Sequence, residues 1–210
     1  VLMMGSLVLF FLVTGPWRDR TDWFIQGAMD SGAVLQQKEW WRLVTALTLH
    51  ADAVHLLGNC LIGGFLVHQL NRTLGYGLAS LLLISCGSLG NLLNIITREE
   101  VHRSVGFSTA VFSAVGLFSG LQMLAGPSLR LRNILVSLGA GGGLLAMLGT
   151  SGERTDLGAH FFGFLCGLGA GIIGGRLKML RLADHDRLQL NLFLATALII
   201  IGSWIAAFGH

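Results

Sequence analysis

The chain is poor in charged residues, proline and cysteine. Of its 210 residues 12% are charged and two are proline, whereas a soluble domain typically has about 25% charged residues. This shortage argues against a soluble globular domain. The 14 lysines and arginines form no basic cluster, so we expect no nucleic-acid partner. The three cysteines match no disulfide or zinc spacing, and we interpret them as buried small residues.

Hydrophobic residues, by contrast, make up 53% of the chain and occur in blocks. A helix needs roughly 20 apolar residues to cross a bilayer, and seven blocks approach that length. The sequence therefore predicts an all-α polytopic membrane protein with a single domain over residues 1–210. The predicted spans are 1–15, 51–70, 75–96, 106–125, 131–149, 157–175 and 189–208.

A polar insert separates the first two predicted spans. Residues 16–49 contain four of the five tryptophans together with several charged residues. Tryptophan rings settle at the membrane interface, so we expect an interfacial loop of short amphipathic helices. The basic stretch GRLKMLRLADHDR before the last span favours a cytoplasmic N-terminus and an external C-terminus.

Few polar side chains lie within the predicted spans. Each is costly in lipid, so each is a candidate functional residue. His55 and Asn59 are four residues apart and share one helix face. They form either an interhelical hydrogen-bonded pair or part of a site. The histidines at span ends or in loops are interpreted as solvated: His68, His102, His185 and His210.

Glycines predict that the fourth and sixth spans pack closely. Gly163, Gly167 and Gly171 recur every four residues after His160, and the fourth span has a matching row of small residues. Small residues let membrane helices approach each other. The glycines alone fit plain packing, but the approach would bring Ser108 and His160 within about 3 Å, the reach of a nucleophile and its base.

Four groups of residues follow one another along the chain. They are Trp41 and Arg42 in the loop; His50, His55 and Asn59 around the second span; Gly106-Phe107-Ser108 at the fourth; and Gly158-Ala159-His160 with its glycines at the sixth. In this order they resemble the rhomboid family of intramembrane serine proteases, over about residues 38–175. The resemblance implies a six-helix core, about 1–175, and an added seventh helix at about 189–208.

The resemblance also implies a role for each residue. Ser108 would be the nucleophile and His160 the general base. His55 and Asn59, with the backbone N–H of Ser108, would form the oxyanion hole. The supporting residues would be His50, Gly106, Phe112, Trp41, Arg42 and Gly163.

Two positions depart from the common family pattern. Thr109 follows the serine where glycine is frequent, and Phe112 stands where a tyrosine often packs on the histidine. Phenylalanine keeps the ring and loses the hydroxyl. No carboxylate is placed to orient the base, because Asp52 and Asp156 lie near span ends. We therefore predict a Ser-His dyad whose imidazole packs against Phe112.

The function implied is hydrolysis of peptide bonds in or near transmembrane helices of membrane-protein substrates. The expected partners are these substrates and the lipid bilayer, with no metal or cofactor, and the expected location is a bacterial inner membrane. A metalloprotease would need H-E-x-x-H, which is absent, and an aspartyl protease would need two mid-membrane aspartates. The open alternative is a non-catalytic rhomboid-like protein that binds membrane clients.

Overall fold

The computed structural model describes residues 2–98, 100–123, 156–177 and 182–210, together with the single positions 135, 139 and 143. These ranges are mainly helical. The helices are α1 (Leu2–Thr14), α2 (Asp22–Gly27), α3 (Ser31–Gln37), α4 (Arg42–Thr45), α5 (Ala53–Gly58), α6 (Gly64–Leu74), α7 (Tyr76–Ile96), α8 (Ser108–Met123), α9 (Leu157–Arg176) and α10 (Asp186–Gly209). A 3-10 turn covers Trp17–Asp19, and a π-helical segment, Asn59–Gly63, joins α5 to α6.

Within these ranges four helices are long and apolar enough to cross a membrane. They are the continuous segment Ala53–Leu74, which contains α5 and α6, and the helices α7, α9 and α10. The apolar helices α1 and α8 are shorter, with 13 and 16 residues. These helices overlap six of the seven predicted spans; the fifth, 131–149, lies outside the described residues apart from three single positions.

Aspartates cap the N-termini of three helices. The carboxylates of Asp30, Asp52 and Asp156 accept hydrogen bonds from backbone N–H groups in the first turns of α3, α5 and α9, at 2.8 to 3.1 Å. Such a cap satisfies a donor that the helix itself leaves unpaired. Two of these helices, α5 and α9, carry the candidate histidines.

The polar insert consists of short helices and one strand. Helices α2, α3 and α4 follow one another, and β1 (Met29–Asp30) pairs antiparallel with β2 (Arg103–Ser104). The pairing joins the insert to the segment that leads into α8. Arg42 is buried within the insert, where it pairs with Glu39 and donates to the carbonyls of Ile25 and Ala28 at 3.0 and 2.9 Å.

Helix α8 lies at the centre of the bundle and packs against α7 and α9. Its contact with α9 is made by glycines at backbone distance. A Cβ at Gly116 would overlap the Phe164 carbonyl of α9, and a Cβ at Gly167 would overlap the Ser113 carbonyl of α8. The two small-residue faces predicted from the sequence therefore meet in the structure.

Helix α10 is held at its first turn by one buried amide. Gln189 Oε1 accepts from the backbone N–H groups of Gly77 and Leu78 at 2.8 and 3.0 Å. Its Nε2 donates to the carbonyls of Leu74 and Leu182 at 3.0 and 2.9 Å. One side chain thus provides hydrogen-bond partners for backbone groups at the start of α7 and the end of α6. The same bonds fix α10 against both helices.

Candidate active site

The structure brings Ser108 and His160 together. Ser108 is the first residue of α8 and His160 is the fourth residue of α9. The Ser108 Oγ and His160 Nε2 atoms are 2.8 Å apart. Ser108 is half-buried, whereas His160 is only 5% exposed. With the imidazole proton on Nδ1, the serine hydroxyl donates to Nε2, the geometry a base needs to take its proton.

The His160 ring is oriented by packing. The Phe112 ring stacks on it with centroids 4.4 Å apart and planes at 20°. The His160 Nδ1 atom is buried and has no hydrogen-bond partner among the described residues. Within the described residues, therefore, no carboxylate accepts a hydrogen bond from this ring nitrogen as a third triad member would.

His55 borders the same space as the serine hydroxyl. Gly106 has a φ of +138°, in the region that favours glycine. A Cβ on Gly106 would lie 2.8 Å from His55 Nε2 and 3.4 Å from Ser108 Oγ. Only a glycine at this position leaves room for the His55 ring to reach the serine.

Asn59 begins the π-helical segment one turn beyond His55. Its side chain is 6% exposed, and Nδ2 has no hydrogen-bond partner among the described residues, Ser108 included. A buried donor without a partner is uncommon in a folded protein and calls for an explanation. A π-helical segment inside an α-helix also occurs frequently at functional sites.

His50 lies behind the site and is fully buried. Its Nε2 atom accepts a hydrogen bond from the Phe107 N–H at 3.5 Å, and its ring meets the His55 ring edge-on at 5.5 Å. Burial, helped by the nearby His55, lowers the pKa of His50 to about 3. The imidazole is therefore neutral at pH 7, as an acceptor must be.

Gly163 and Thr109 define how closely α9 approaches the serine. A Cβ on Gly163 would lie 2.5 Å from the Thr109 carbonyl oxygen and 3.0 Å from the Thr109 methyl group. A Cβ on Gly90 of α7 would lie 3.1 Å from the same methyl. The Thr109 side chain, which departs from the family pattern, thus fills space between α7 and α9.

Trp41 and Arg42 form hydrogen bonds within the insert, and the centroid of the Trp41 ring lies 5.1 Å from that of the His210 ring just after α10. Trp41 Nε1 donates to the Gln26 carbonyl at 3.2 Å, and Arg42 bonds to Glu39 and to two backbone carbonyls. The structure therefore does not join these two side chains to Ser108 or His160 by hydrogen bonds. They hold the loop that leads to His50.

Sequence reasoning missed a polar cluster centred on Asp156. Its carboxylate accepts from Asn94 Nδ2 at 2.8 Å and from Arg98 Nη2 at 3.0 Å, and it pairs with His102 Nε2. The Asp156 carbonyl accepts from the His160 N–H at 3.1 Å. This cluster fixes the start of α9 to the end of α7 and to the loop before Ser108.

The cluster corrects one interpretation and perturbs one carboxyl group. His102 is not a solvated histidine, because its side chain is 18% exposed and paired with Asp156. Burial would raise the Asp156 pKa, but His102, the Ala159 N–H and Arg98 together lower it to about 2. Asp156 stands directly before an apolar run, which is an N-cap signal, and this could have pointed to the residue. Among the described residues, no three His, Cys, Asp or Glu side chains form a metal-binding group.

The chain is similar to known proteins. A family model described as the Rhomboid domain matches residues 37–177. YdcA of Bacillus subtilis (strain 168), named as a candidate rhomboid protease, is 28% identical over 171 residues, which are 79% of this chain and 80% of that protein. RHOMBOID-like protein 7 of Arabidopsis thaliana is 26% identical over 148 residues, 67% of this chain and 46% of that protein. Rhomboid protease GluP of Bacillus subtilis (strain 168) is 26% identical over 115 residues, 55% of this chain and 22% of that protein.

The chain therefore spans most of YdcA but less than half of the other two relatives. The family model covers more than half of the chain, including the segments that carry Ser108 and His160. Four described helices are long and apolar enough to cross a bilayer. On these grounds the chain is an integral membrane protein that belongs to the rhomboid family.

Proposed function

We propose that this chain is an intramembrane serine endopeptidase that cleaves membrane-protein substrates in or near their transmembrane helices. The observation that carries the proposal is the 2.8 Å hydrogen bond between Ser108 Oγ and His160 Nε2. The Phe112 stacking and the partnerless Nδ1 of His160 support a two-residue dyad. Membership of a family that includes a protein named rhomboid protease supports the reaction class.

In the proposed reaction Ser108 Oγ attacks the carbonyl carbon of the scissile peptide bond, and its proton passes to His160 Nε2. The tetrahedral intermediate collapses as the C–N bond breaks, and His160 returns the proton to the leaving amine. A water molecule then gives a proton to His160 and attacks the acyl-enzyme. Collapse of this second intermediate releases a carboxyl product and restores the serine hydroxyl.

The oxyanion formed in each step needs hydrogen-bond donors. We propose His55, the Asn59 side-chain amide and the Ser108 backbone N–H for this role. Support comes from the His55 ring, which lies beside the serine, and from the buried Asn59 Nδ2, which lacks a partner among the described residues. Removing one such donor in other serine hydrolases costs about 2.7–4 kcal/mol of transition-state stabilisation.

We place the site in a single domain over 1–210, with a core of about 1–175 and α10 as the added helix. The packing of α10 on α7 supports one domain. The half-buried Ser108 and His55 support access for an unwound substrate segment and for water. Similarity to two Bacillus subtilis proteins favours a bacterial plasma membrane.

Cleavage by purified protein in liposomes tests the proposal. Wild type, Ser108→Ala and His160→Ala are compared on a fluorescent transmembrane substrate, and labelling of Ser108 by a fluorophosphonate probe is followed in parallel. We expect wild type to cleave and to be labelled, Ser108→Ala to do neither, and His160→Ala to lose both activities although it folds.

A second outcome would replace the proposal. If wild type and both variants are equally inert on several substrates and wild type resists the probe, Ser108 is a packing residue. Co-purification of intact transmembrane clients with all three proteins would then support the non-catalytic client-binding function.

A further inference from the structure

Helix α10 lies beyond residues 37–177, the range that the family model matches. Different side chains attach its two ends to the rest of the protein. Gln189 holds its first turn against α6 and α7. Trp204 lies 15 residues further along, about 22 Å at the helical rise of 1.5 Å per residue. It therefore lies at the opposite end of the bundle, next to the polar insert that includes α4.

The Trp204 indole is set into the insert. A Cβ on Gly27 would overlap the ring, so the indole lies directly on that glycine. Its ring centroid is 5.3 Å from that of Phe10 and 5.0 Å from that of Trp23. Its Nε1 donates to the Thr48 hydroxyl at 3.2 Å.

Thr48 belongs to a tightly bonded segment, residues 45–50. The Thr48 hydroxyl, which accepts from Trp204, donates in turn to the Thr45 carbonyl at 2.7 Å. The Thr45 hydroxyl donates to the Gly27 carbonyl at 2.7 Å. Trp204 thus contacts the two outer residues of this hydrogen-bonded chain. Its ring lies on Gly27, and its N–H donates to Thr48.

The same segment holds the turn that presents the serine. The Gly106 N–H donates to the Ala46 carbonyl at 2.9 Å, and the Phe107 N–H donates to His50 Nε2 at 3.5 Å. These two bonds fall on the residues immediately before Ser108. In the sequence, Thr48 lies between the two acceptor residues, Ala46 and His50.

We propose that Trp204 is a positioning residue: through Thr48 it fixes segment 45–50 and, by way of Ala46 and His50, the turn that aims Ser108. The proposal rests on the proposed protease function for its catalytic consequence. On this proposal α10 helps to orient the nucleophile, in addition to facing lipid.

Variants that separate the N–H from the ring test the proposal. Trp204→Phe removes the donor and keeps an aromatic ring, Gly27→Ala displaces the ring, and Thr48→Val removes the acceptor. Ile205→Ala, at a neighbouring position that is 69% exposed, is the matched control. The protein is the full chain in liposomes, and kcat is normalised to the fraction of Ser108 that a fluorophosphonate probe titrates.

We expect Trp204→Phe to lower the normalised kcat about threefold to tenfold with KM unchanged, since one hydrogen bond is lost. Gly27→Ala should lower it in the same direction. The Trp204→Phe, Thr48→Val double variant should fall no further than Thr48→Val alone, because both act on one bond. Ile205→Ala should match wild type. Partial unfolding would not produce this pattern, because the normalisation removes inactive protein.

Hydrogen–deuterium exchange supplies a readout that does not need catalysis. Amides 106 and 107 should exchange faster in Trp204→Phe than in wild type or Ile205→Ala. If these amides and the normalised kcat both stay within twofold of wild type while Ser108→Ala is inactive, Trp204 is not a positioning residue. If wild type itself cleaves nothing, the protease proposal fails, and the exchange at 106 and 107 alone decides whether α10 holds the serine turn.

Discussion

Two interfaces of this molecule hold helices together by different combinations of backbone and side-chain contact. Helices α8 and α9 meet backbone to backbone, since glycines such as Gly116 and Gly167 face carbonyl groups of the other helix. Helix α10 makes one such close approach, where a Cβ on Gly77 would overlap the Gln189 carbonyl, and large side chains hold it elsewhere, Gln189 at one end and Trp204 at the other. The first interface leaves no space for a methyl group at several positions along its length, whereas the second also depends on particular hydrogen bonds and rings.

The difference matches what each interface has to position. Ser108 and His160 lie at the ends of α8 and α9, so the separation of these two helices sets the distance between hydroxyl and imidazole. Backbone contact gives that separation little freedom, because carbonyl groups and Cα atoms have no rotamers. At the α10 interface, side chains such as Gln189 and Trp204 carry the hydrogen bonds, so removing one should leave the separation of α8 and α9 unchanged.

The largest expected effect comes from Gly167→Ala. The new methyl would overlap the Ser113 carbonyl, so α8 and α9 must separate. We expect cleavage to fall about hundredfold, because small displacements of reacting groups are costly, and stability to fall by about 2–3 kcal/mol. Cleavage in liposomes and unfolding in mixed micelles measure the two effects.

Gly169→Ala is the matched control on the same helix. A Cβ there has no atom within 4 Å, and alanine is the better helix former by about 1 kcal/mol. It should keep wild-type activity and gain stability. Equal losses in the two variants would contradict the view that backbone contact sets the dyad distance.

Gln189→Leu should cost stability with little effect on catalysis. It removes four hydrogen bonds and leaves backbone groups at Gly77, Leu78, Leu74 and Leu182, the first three of them buried, without that partner. We expect a loss of about 2–3 kcal/mol in the free energy of unfolding.

For Gln189→Leu, the kcat per active Ser108 should be unchanged, and Leu190→Ala, half-exposed on the same turn, should behave like wild type. A lower kcat per active site at wild-type stability would show that this end of α10 also acts on the dyad.

Asp156→Asn should reduce the dependence of the unfolding free energy on pH at acid pH. The Asp156 pKa is lowered from 3.8 to about 2 in the folded protein, so the ionised carboxylate stabilises the fold above about pH 4. That contribution, about 2 kcal/mol, is lost as the pH falls from about 4 to 2. Unfolding free energies from pH 5 to pH 2 should show this part of the decline in wild type but not in Asp156→Asn.

Asp184→Asn, at an exposed position, serves as the control for loss of a single negative charge. Parallel pH curves for wild type and Asp156→Asn would mean that the cluster at the start of α9 does not stabilise the ionised carboxylate.

The smallest effect is expected for Phe112→Leu. The stacked ring contributes about 1 kcal/mol to the orientation of His160, so kcat should fall about fivefold with KM unchanged. Phe65→Leu, an exposed position on α6, should leave both constants unchanged. A rise in KM with constant kcat would place Phe112 in substrate binding and not in orienting the base.

Local patterns were enough to predict much of this protein. Runs of apolar residues predicted seven spans, and described helices overlap six of them. This worked because length and hydropathy can be read from one segment at a time. Glycines at a spacing of four predicted the close contact of α8 and α9, because the spacing places them on one helix face. The catalytic roles of Ser108, His160, His55 and Asn59 remain predictions that the variants above test.

Long-range pairings were not predictable in the same way. The β1–β2 pairing, the cluster of Asn94, Arg98 and His102 around Asp156, and the hydrogen bonds of Gln189 to Gly77 and of Trp204 to Thr48 join residues between 54 and 156 positions apart. No local period or capping pattern specifies such partners. His102 was misinterpreted for this reason, because its position in a loop says nothing about a carboxylate 54 residues later.

The sequence by itself determined that the chain enters a membrane, where the described apolar helices run and which of their faces are small. Those properties follow from composition and from spacing within a segment. Only the tertiary structure decided that Ser108 Oγ lies 2.8 Å from His160 Nε2, that Gly106 makes room for His55, and that Trp204 of α10 bonds to Thr48. These depend on distances between segments far apart in the chain, which packing sets and no single segment contains.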